Sequence, residues 1–243
     1  MHELGIGGSA VGTGLNTTLS YRCELVRNLG KITGFDLKSG DNLFELMQST
    51  SDFSSVSGEL KTLALCLIQI CNDFRLLNSG PKTGFNEIEL PARQPGSSIM
   101  PGKINPVMPE MLTLVCFQVV GNDSVISMAT QAGQLELNVM IPAVIHNLLS
   151  SIEILKNAIG VFTRFCVEGI KANARQGFEF AEKSYGIAAA LNPHIGYSKA
   201  AEIVKESVKT GKTLREIILQ KRLIPEAKLN AILSPEKLTQ PKP

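Results

Sequence analysis

The chain has 243 residues, of which 44% are hydrophobic and 19% charged, and its formal net charge is +2. This length corresponds to one or two domains with enough material for a packed core. A net charge so near zero gives no general attraction to nucleic acid or to an anionic membrane, although a local positive site for a small anion stays open.

The start of the chain and its cysteines predict a cytoplasmic protein. Met1-His2-Glu3-Leu4 runs directly into a glycine cluster, unlike a secretory signal, and the most apolar window, Met111–Val120, is too short for a bilayer. Four of the five cysteines lie among apolar residues and none forms a CxxC pair, so we expect buried free thiols in a reducing compartment. Neither a membrane nor nucleic acid is expected as a partner.

Helical patterns dominate and predict an all-α protein. From Asp41 to Asn78 there is no proline and one glycine, and a single helix of that length would be about 55 Å long, which is typical of an elongated bundle. A second helix is predicted from Val107 to about Thr130. A third is predicted from about Gln134 to Ile170, with a kink at Pro142. Because the third is apolar on several faces, we expect it to be buried on most sides, either inside the bundle or between subunits, with His146 as a core histidine.

The pattern changes near Lys171, beyond which the helices are shorter and more charged. Thr213-Leu214-Arg215-Glu216 fits a capping box, and Ile224-Pro225-Glu226 places proline in the first turn of a helix. We therefore predict a central helical-bundle domain over 1–171 and a small C-terminal helical domain over 172–243.

A long loop, Pro81–Asn105, separates the first two long helices. It contains four prolines and three glycines and has no helical or strand period. Loops longer than about 12–15 residues are usually functional or disordered. Apolar residues such as Ile88, Leu90 and Ile104 favour burial, so we expect an ordered functional loop.

The end of this loop has the composition of an anion site. Gly96-Ser97-Ser98 combines two hydroxyls with a flexible backbone, whose N–H groups can form an anion-binding concavity. Lys103 adds a cation and Asn105 adds donors, while Pro106 opens a helix whose N-terminus is partially positive. These features favour a carboxylate ligand, although a serine-rich turn with a solvated lysine would have the same spacing.

Other chemistries lack support. There is no GxSxG elbow, and the three histidines match no triad motif. The opening segment Gly5–Gly14 lacks the Lys-Ser/Thr ending of a phosphate loop and follows no strand, so we interpret it as a structural turn. No cluster has metal-ligand spacing, and we expect neither a metal nor a cofactor.

Gly96-Ser97-Ser98-Ile99-Met100-Pro101-Gly102-Lys103-Ile104-Asn105-Pro106 resembles the signature of the aspartase/fumarase superfamily at every position. Further segments resemble the same family: Gly12–Asn16, Gly121–Asp123, Leu135–Val139 and Leu191–Tyr197. The resemblance implies a long-helix bundle with a small C-terminal helical domain. It also implies a reaction in which ammonia or water leaves a dicarboxylate to give fumarate through an aci-carboxylate intermediate.

The resemblance implies roles for six residues. Ser97 would be the general base, and Glu110 would pair with a histidine beside the substrate. The substrate's carboxylates would be bound by Ser98, Lys103, Ile104 through its backbone, and Asn105. A serine hydroxyl is a weak base at neutral pH, so backbone donors, Lys103 and the helix N-terminus would have to stabilise its alkoxide.

Within the superfamily, Gln131–Met140 resembles the aspartase branch, because fumarases usually carry a His-Phe pair before the Glu-Leu-Asn-Val run. Phe85–Ile88 also resembles aspartases, whereas Leu191–Ala201 suits both branches. Family members are roughly twice this long and are homotetramers whose active sites draw on three subunits. We therefore expect this chain to carry only part of an active site, and a non-catalytic helical assembly protein is the alternative of another class.

Overall fold

A computed structural model describes residues 2–96, 99–100 and 102–239 of the chain. Within these ranges helices dominate and the strands are two residues long, which confirms the all-α prediction. The helices are α1 (Leu19–Thr33), α2 (Leu43–Gln48), α3 (Ser51–Leu77), α4 (Val107–Gln131), α5 (Ile141–Phe165), α6 (Ala174–Lys183), α7 (Asn192–Ile195), α8 (Tyr197–Thr210), α9 (Leu214–Gln220), α10 (Glu226–Ile232) and α11 (Pro235–Thr239). Short 3-10 helices cover Val167–Gly169 and Tyr185–Leu191.

The four strands form two small ladders. Strand β1 (Glu3–Leu4) pairs in parallel with β2 (Lys38–Ser39), and β3 (Ile88–Glu89) pairs antiparallel with β4 (Lys171–Ala172). The chain divides into two compact units. The first contains residues up to Asn78 together with Leu90–Ile170, and the second contains Ser79–Glu89 together with Lys171 onward.

The first unit is built around α3, α4 and α5, which pack side by side. Contacts at two levels show their directions. Between α3 and α4, Ser57 meets Asp123 and Arg75 meets Glu110. Between α4 and α5, Asn122 meets Ser151, while Ile126 and Ala129 share a core cluster with Val144 and Leu148. Consecutive helices are therefore antiparallel. Their shared core includes Leu112, Ile126, Val144, Leu148 and Leu155.

The predicted single helix from Asp41 to Asn78 is wrong, because the chain breaks it at Ser49 and Thr50. Ser49 is extended, with φ −76° and ψ 127°. The Ser49 hydroxyl bonds the Ser51 hydroxyl at 3.0 Å, and the Thr50 hydroxyl bonds that of Thr130 at 3.1 Å. Hydroxyl side chains that find such partners compete with the helical backbone bonds. Two helices, α2 and α3, result.

The third predicted helix begins later than expected. Residues 134–140 form a turn with a bridge between Gln134 and Leu137, and α5 begins at Ile141 with Pro142 in its first turn. Proline is favoured in the first turn because the N–H groups there have no partner within the helix, so a residue without an N–H loses no hydrogen bond. Pro142 therefore lies in the first turn of α5, and the predicted kink is wrong. Only one stripe of α5 is buried in this chain, and His146 is exposed rather than in the core.

A polar layer that the sequence does not predict crosses the bundle. Asp123 is 5% exposed, accepts a hydrogen bond from Ser57 at 2.7 Å and forms an ion pair with Lys61 at 2.6 Å. Beside it, Asn122 accepts from Gln118 at 2.7 Å and donates to Ser151 at 2.9 Å. Buried charges and amides need such partners.

Helix α4 is the one helix of the described chain that is long and apolar enough to cross a membrane by length and composition alone. It is also the central helix of the bundle, in contact with both α3 and α5. The buried Asn122 and Asp123 are bonded to those two neighbours. Packing between two helices accounts for its apolar composition.

Three of the five cysteines, Cys71, Cys116 and Cys166, are buried, whereas Cys23 and Cys66 are exposed. All five are free thiols. Four buried cysteines were expected from the sequence, and the structure buries three. Burial raises the pKa of Cys116 and of Cys166 to about 11.

The second unit has its own core of aliphatic side chains, including Leu191, Ile203, Ile217, Ile218 and Leu229. The predicted capping box is confirmed: the Thr213 side chain accepts from the Glu216 N–H, and the Glu216 carboxylate accepts from the Thr213 N–H. Pro225 is the N-cap of α10 and so precedes the first turn in which it was expected.

The segment Ser79–Glu89 joins this second unit through backbone bonds. Beyond the β3–β4 ladder, the Asn173 N–H donates to the Glu87 carbonyl at 2.8 Å, and the Asn173 amide donates to the Asn86 carbonyl at 3.0 Å. The rings of Phe85 and Phe180 meet edge to face. The first part of the long loop thus belongs to a different unit from its second part.

Candidate active site

The predicted site lies in the loop between α3 and α4. Ser97, Ser98 and Pro101 are outside the described residues, so the site is built here from the residues on either side of them. The segment Leu90–Gly96, which leads into the serines, is called the entry stem. The segment Lys103–Pro106, which leads into α4, is called the exit stem.

The entry stem is attached to the ends of two bundle helices. The Leu90 N–H donates to the side chain of Asn78, the C-cap residue of α3, at 2.9 Å. Pro91 packs against Gly169, where an added Cβ would lie 2.4 Å from the proline Cγ. Arg93 Nε donates to the Phe165 carbonyl at 2.7 Å. The stem therefore has a defined path until shortly before the serines.

The two stems meet at Gly96 and Lys103. Gly96 has φ +94°, and a Cβ on it would lie 2.3 Å from the Lys103 carbonyl oxygen. Only glycine allows both the backbone angle and this approach. The Lys103 N–H in turn donates to the Met100 carbonyl at 3.2 Å. The backbone of Gly96 thus lies against that of Lys103, which is seven residues further along the chain.

The exit stem brings three of the predicted ligands to the start of α4. Lys103 and Ile104 are exposed, and Asn105 is half-buried. The Asn105 carbonyl accepts the Val107 N–H at 2.9 Å, and Pro106 is the N-cap residue. The first N–H groups of a helix carry partial positive charge and favour an anion. Lys103, three residues before the N-cap residue Pro106, adds a full positive charge.

Glu110 lies in the first turn of α4, and its Oε1 is 4.0 Å from Nη2 of Arg75 in the last turn of α3. Both side chains are about two-fifths exposed, at 40% and 44%. The resemblance implies a histidine as the partner of Glu110, and in this chain the partner is an arginine. Arg75 is a residue of the site region that sequence reasoning missed.

Two further segments that resemble the family have structural contacts. Gly12, at φ +95°, passes so close to Phe44 that a Cβ would lie 2.6 Å from its Cα. The Thr17 hydroxyl contacts the carbonyls of Gly7 and Gly14 at 3.1 and 2.7 Å. This opening segment is a closed glycine-rich turn held against the start of α2.

In Leu135–Val139, Asn138 is 2% exposed and ties three segments together. Its side chain donates to the Ala129 carbonyl at 3.0 Å and accepts the Met140 N–H at 2.9 Å. Its backbone N–H donates to the Met47 carbonyl at 3.2 Å. Asn138 therefore provides a hydrogen-bond donor for a carbonyl at the C-terminal end of α4 and fixes the segment that connects α4 to α5.

Residues 1–121 match the family described as Lyase, and residues 187–240 match the family described as Fumarase C C-terminus. An aspartate ammonia-lyase from Bacillus subtilis (strain 168) is 46% identical over 99% of this chain and 51% of its own length. The chain spans about half the length of the curated relatives that it matches.

Solved structures agree with these matches. A fumarate lyase:delta crystallin from Brucella melitensis bound to cobalt superposes with a TM-score of 0.94 at 42% identity, over 99% of this chain and 52% of that one. A recombinant class II fumarase from Schistosoma mansoni superposes with a TM-score of 0.90 at 37% identity, over 98% of this chain and 53% of that one. Together with the two family matches, the long antiparallel helices define the class of protein as a helical-bundle member of the family described as Lyase. The chain belongs to the aspartase/fumarase superfamily, and the predicted resemblance is confirmed.

Proposed function

We propose that the protein acts as an aspartate ammonia-lyase, which eliminates ammonia reversibly from L-aspartate to give fumarate. The observation that carries this proposal is the 46% identity to an aspartate ammonia-lyase over 99% of the chain. The closed return between Gly96 and Lys103, next to the first turn of α4, supports an anion site in the same place. The substrate class is a small dicarboxylate.

In the proposed reaction, Ser97 removes a proton from the carbon next to one carboxylate of the substrate. The electron pair of that C–H bond moves into the carboxylate and gives an aci-carboxylate with two negative charges. As the double bond forms, the C–N bond breaks and nitrogen leaves with its electron pair as ammonia. Proton removal by a positioned side chain typically contributes about 10²–10⁴-fold to the rate.

The dianion needs preorganised donors. We assign this role to Ser98, the Lys103 ammonium, the Ile104 N–H and the Asn105 side chain, together with the N-terminus of α4. Donors of this kind are effective because they are oriented before charge develops, so no solvent has to reorganise. Glu110 is proposed to assist proton transfer from the first turn of α4.

An absorbance assay for fumarate, with L-aspartate and with L-malate, tests the proposal. The full chain is assayed alone and together with a polypeptide covering the part of the Bacillus subtilis relative that this chain does not match. Fumarate from L-aspartate in either arrangement supports the proposal. Fumarate from L-malate alone would indicate a class II fumarase, which the Schistosoma mansoni likeness favours. No fumarate from either substrate would indicate a non-catalytic assembly protein.

We also propose that the chain assembles as a homotetramer with shared active sites, in the cytoplasm. Large apolar side chains on the bundle helices are exposed in the single chain, among them Leu65 at 52%, Leu114 at 67%, Phe117 at 56% and Met128 at 65%. Apolar surface of this extent is typical of a protein interface. Light scattering should give a mass four times that of the chain. Phe117→Lys should reduce it, whereas a dimer or monomer in the unsubstituted chain would contradict the proposal.

Domain limits at 1–171 and 172–243 are proposed as well. Limited proteolysis should then cut first near residue 172 and leave a stable larger fragment, because Lys171 and Ala172 are exposed and their two-residue strand opens more readily than packed helices. Primary cleavage inside α4 or α5 would contradict these limits.

A further inference from the structure

We propose that Arg93 is a positioning residue that holds the entry stem, the segment that leads into Ser97 in sequence, against the end of α5. This inference rests on the proposed function, because it concerns the residue proposed as the general base. It is carried by two contacts of Arg93 with Phe165, the last residue of α5. Nε donates to the Phe165 carbonyl at 2.7 Å, and the guanidinium lies 5.1 Å from the centre of the Phe165 ring.

The partner of Arg93 is well suited to a cation. The last four carbonyls of a helix have no partner within it, and they carry the negative end of the helix dipole. A guanidinium N–H donating to such a carbonyl makes a charge-assisted hydrogen bond. The face of the aromatic ring next to it attracts the same cation. A flat, forked arginine side chain satisfies both contacts at once, which a lysine does only in part.

The position of the contact in the chain links it to the serines. Arg93 precedes Gly96 by three residues, and Gly96 is itself held against the Lys103 carbonyl. Consecutive residues are joined covalently, with Cα atoms about 3.8 Å apart, so a displacement of Gly96 is passed on along the chain. Arg93 therefore acts on the loop from the entry side. Lys103, Ile104 and Asn105, by contrast, lie on the exit side, where the Asn105 carbonyl accepts the N–H of Val107, the first residue of α4.

The contact contributes little to the core. The Arg93 side chain is exposed, so its removal leaves no cavity and no buried unpaired charge. Its loss should release the entry stem while the bundle stays folded. Because the base lies on the entry side and most carboxylate ligands lie on the exit side, kcat should fall more than KM rises.

Arg164 provides a matched control. It is also exposed, and its guanidinium lies 5.2 Å from the centre of the same Phe165 ring. It belongs to α5, however, and not to the entry stem. Arg93→Ala and Arg164→Ala thus each remove one cation from one ring, and only the first releases the loop.

Two measurements on the full chain test the proposal. Hydrogen exchange of the peptide covering 94–105 should be about tenfold faster in Arg93→Ala and unchanged in Arg164→Ala. In the assembly that produces fumarate, Arg93→Ala should lower kcat for L-aspartate about tenfold or more, with KM changed less than about threefold. Arg93→Lys should recover part of the loss in both measurements, because it keeps the charge.

The outcomes separate this inference from the proposed function. If the unsubstituted chain gives no fumarate in any arrangement, the proposed function fails and the exchange measurement alone decides whether Arg93 holds the loop. Unchanged exchange in Arg93→Ala overturns the inference. It is also overturned if Arg164→Ala has an equal effect, or if Arg93→Ala speeds exchange and leaves kcat at its parent value.

Discussion

Glu110 and Arg75 form an ion pair across the ends of α4 and α3, with Oε1 and Nη2 4.0 Å apart. The two helices are antiparallel, so the loop that contains the serines begins and ends beside this pair. Arg75 lies near the negative end of α3 and Glu110 near the positive end of α4, where each charge is favoured by the helix dipole. The carboxylate proposed to assist proton transfer is therefore already partnered within this chain.

This pair should matter for turnover more than for stability. Since both side chains are about two-fifths exposed, water screens the pair, and a double-mutant cycle of Glu110→Gln and Arg75→Met should give a coupling below about 1 kcal/mol in urea unfolding. Glu110→Gln should nevertheless lower fumarate production about 10–100-fold. The exposed pair Arg175–Glu179 in α6, whose charged atoms are 3.0 Å apart, is the control. Substituting its residues should change neither fumarate production nor the free energy of unfolding. A coupling well above 1 kcal/mol would show that the pair is structural.

Gly96 and Gly102 should respond differently to alanine. Both have positive φ, +94° and +79°, but only Gly96 lies against another atom, since nothing is within 4 Å of a Cβ at Gly102. We expect Gly96→Ala to open the loop and reduce fumarate production at least tenfold more than Gly102→Ala, which meets backbone strain alone. Equal losses in the two variants would contradict the closed return between the stems.

The two neighbouring serines should differ in the kinetic constant that they affect. Ser97→Ala should lower kcat by about 10²–10⁴-fold, because it removes the proposed base. Ser98→Ala should mainly raise KM, because it removes one carboxylate ligand and keeps the base. Both variants should unfold at the same urea concentration as the parent chain. A near-normal kcat in Ser97→Ala would show that Ser97 is not the base.

The ion pair between the partly exposed Lys61 and the buried Asp123 should contribute to stability. Lys61→Met leaves the Asp123 carboxylate inside the bundle with only the Ser57 hydroxyl. Breaking a fully buried pair costs about 3–5 kcal/mol, and the 40% exposure of Lys61 reduces our expectation to about 1–3 kcal/mol. The double variant Lys61→Met/Asp123→Leu should recover most of this loss in urea unfolding. Additive losses would show that the two residues act independently.

The buried thiols predict a loss of stability at high pH. Burial raises the pKa of Cys116 and of Cys166 from 9.0 to about 11, so the folded chain keeps protons that the unfolded chain releases. Their contribution is complete below about pH 9 and is lost as the pH rises towards about 11. The melting temperature should therefore fall over this range, and it should fall less in Cys116→Ala/Cys166→Ala. If the melting temperature of that variant falls by the same amount at alkaline pH, groups other than these two thiols cause the effect.

Much of the architecture could be predicted from local pattern. Helix α4 lies where the apolar period placed it, and the Thr213–Glu216 capping box depends on residues three apart within one turn. The errors in the long helices fall at helix boundaries. Ser49 and Thr50 end one helix and Pro142 begins another, and the sequence pattern alone did not show whether each residue breaks, bends or starts a helix. Bonds to distant residues, such as that from Thr50 to Thr130, decide this.

The sequence by itself determined the family and the residues proposed for the chemistry, because the Gly96–Pro106 signature is contiguous and its composition already favours an anion. The tertiary structure alone revealed the partners of these residues. Arg75 faces Glu110 from another helix, and Arg93 reaches the end of α5 across 72 residues of sequence. Neither arginine belongs to a sequence motif. Contacts between distant segments depend on how the helices pack, so they produce no fixed spacing in the sequence by which they could be predicted.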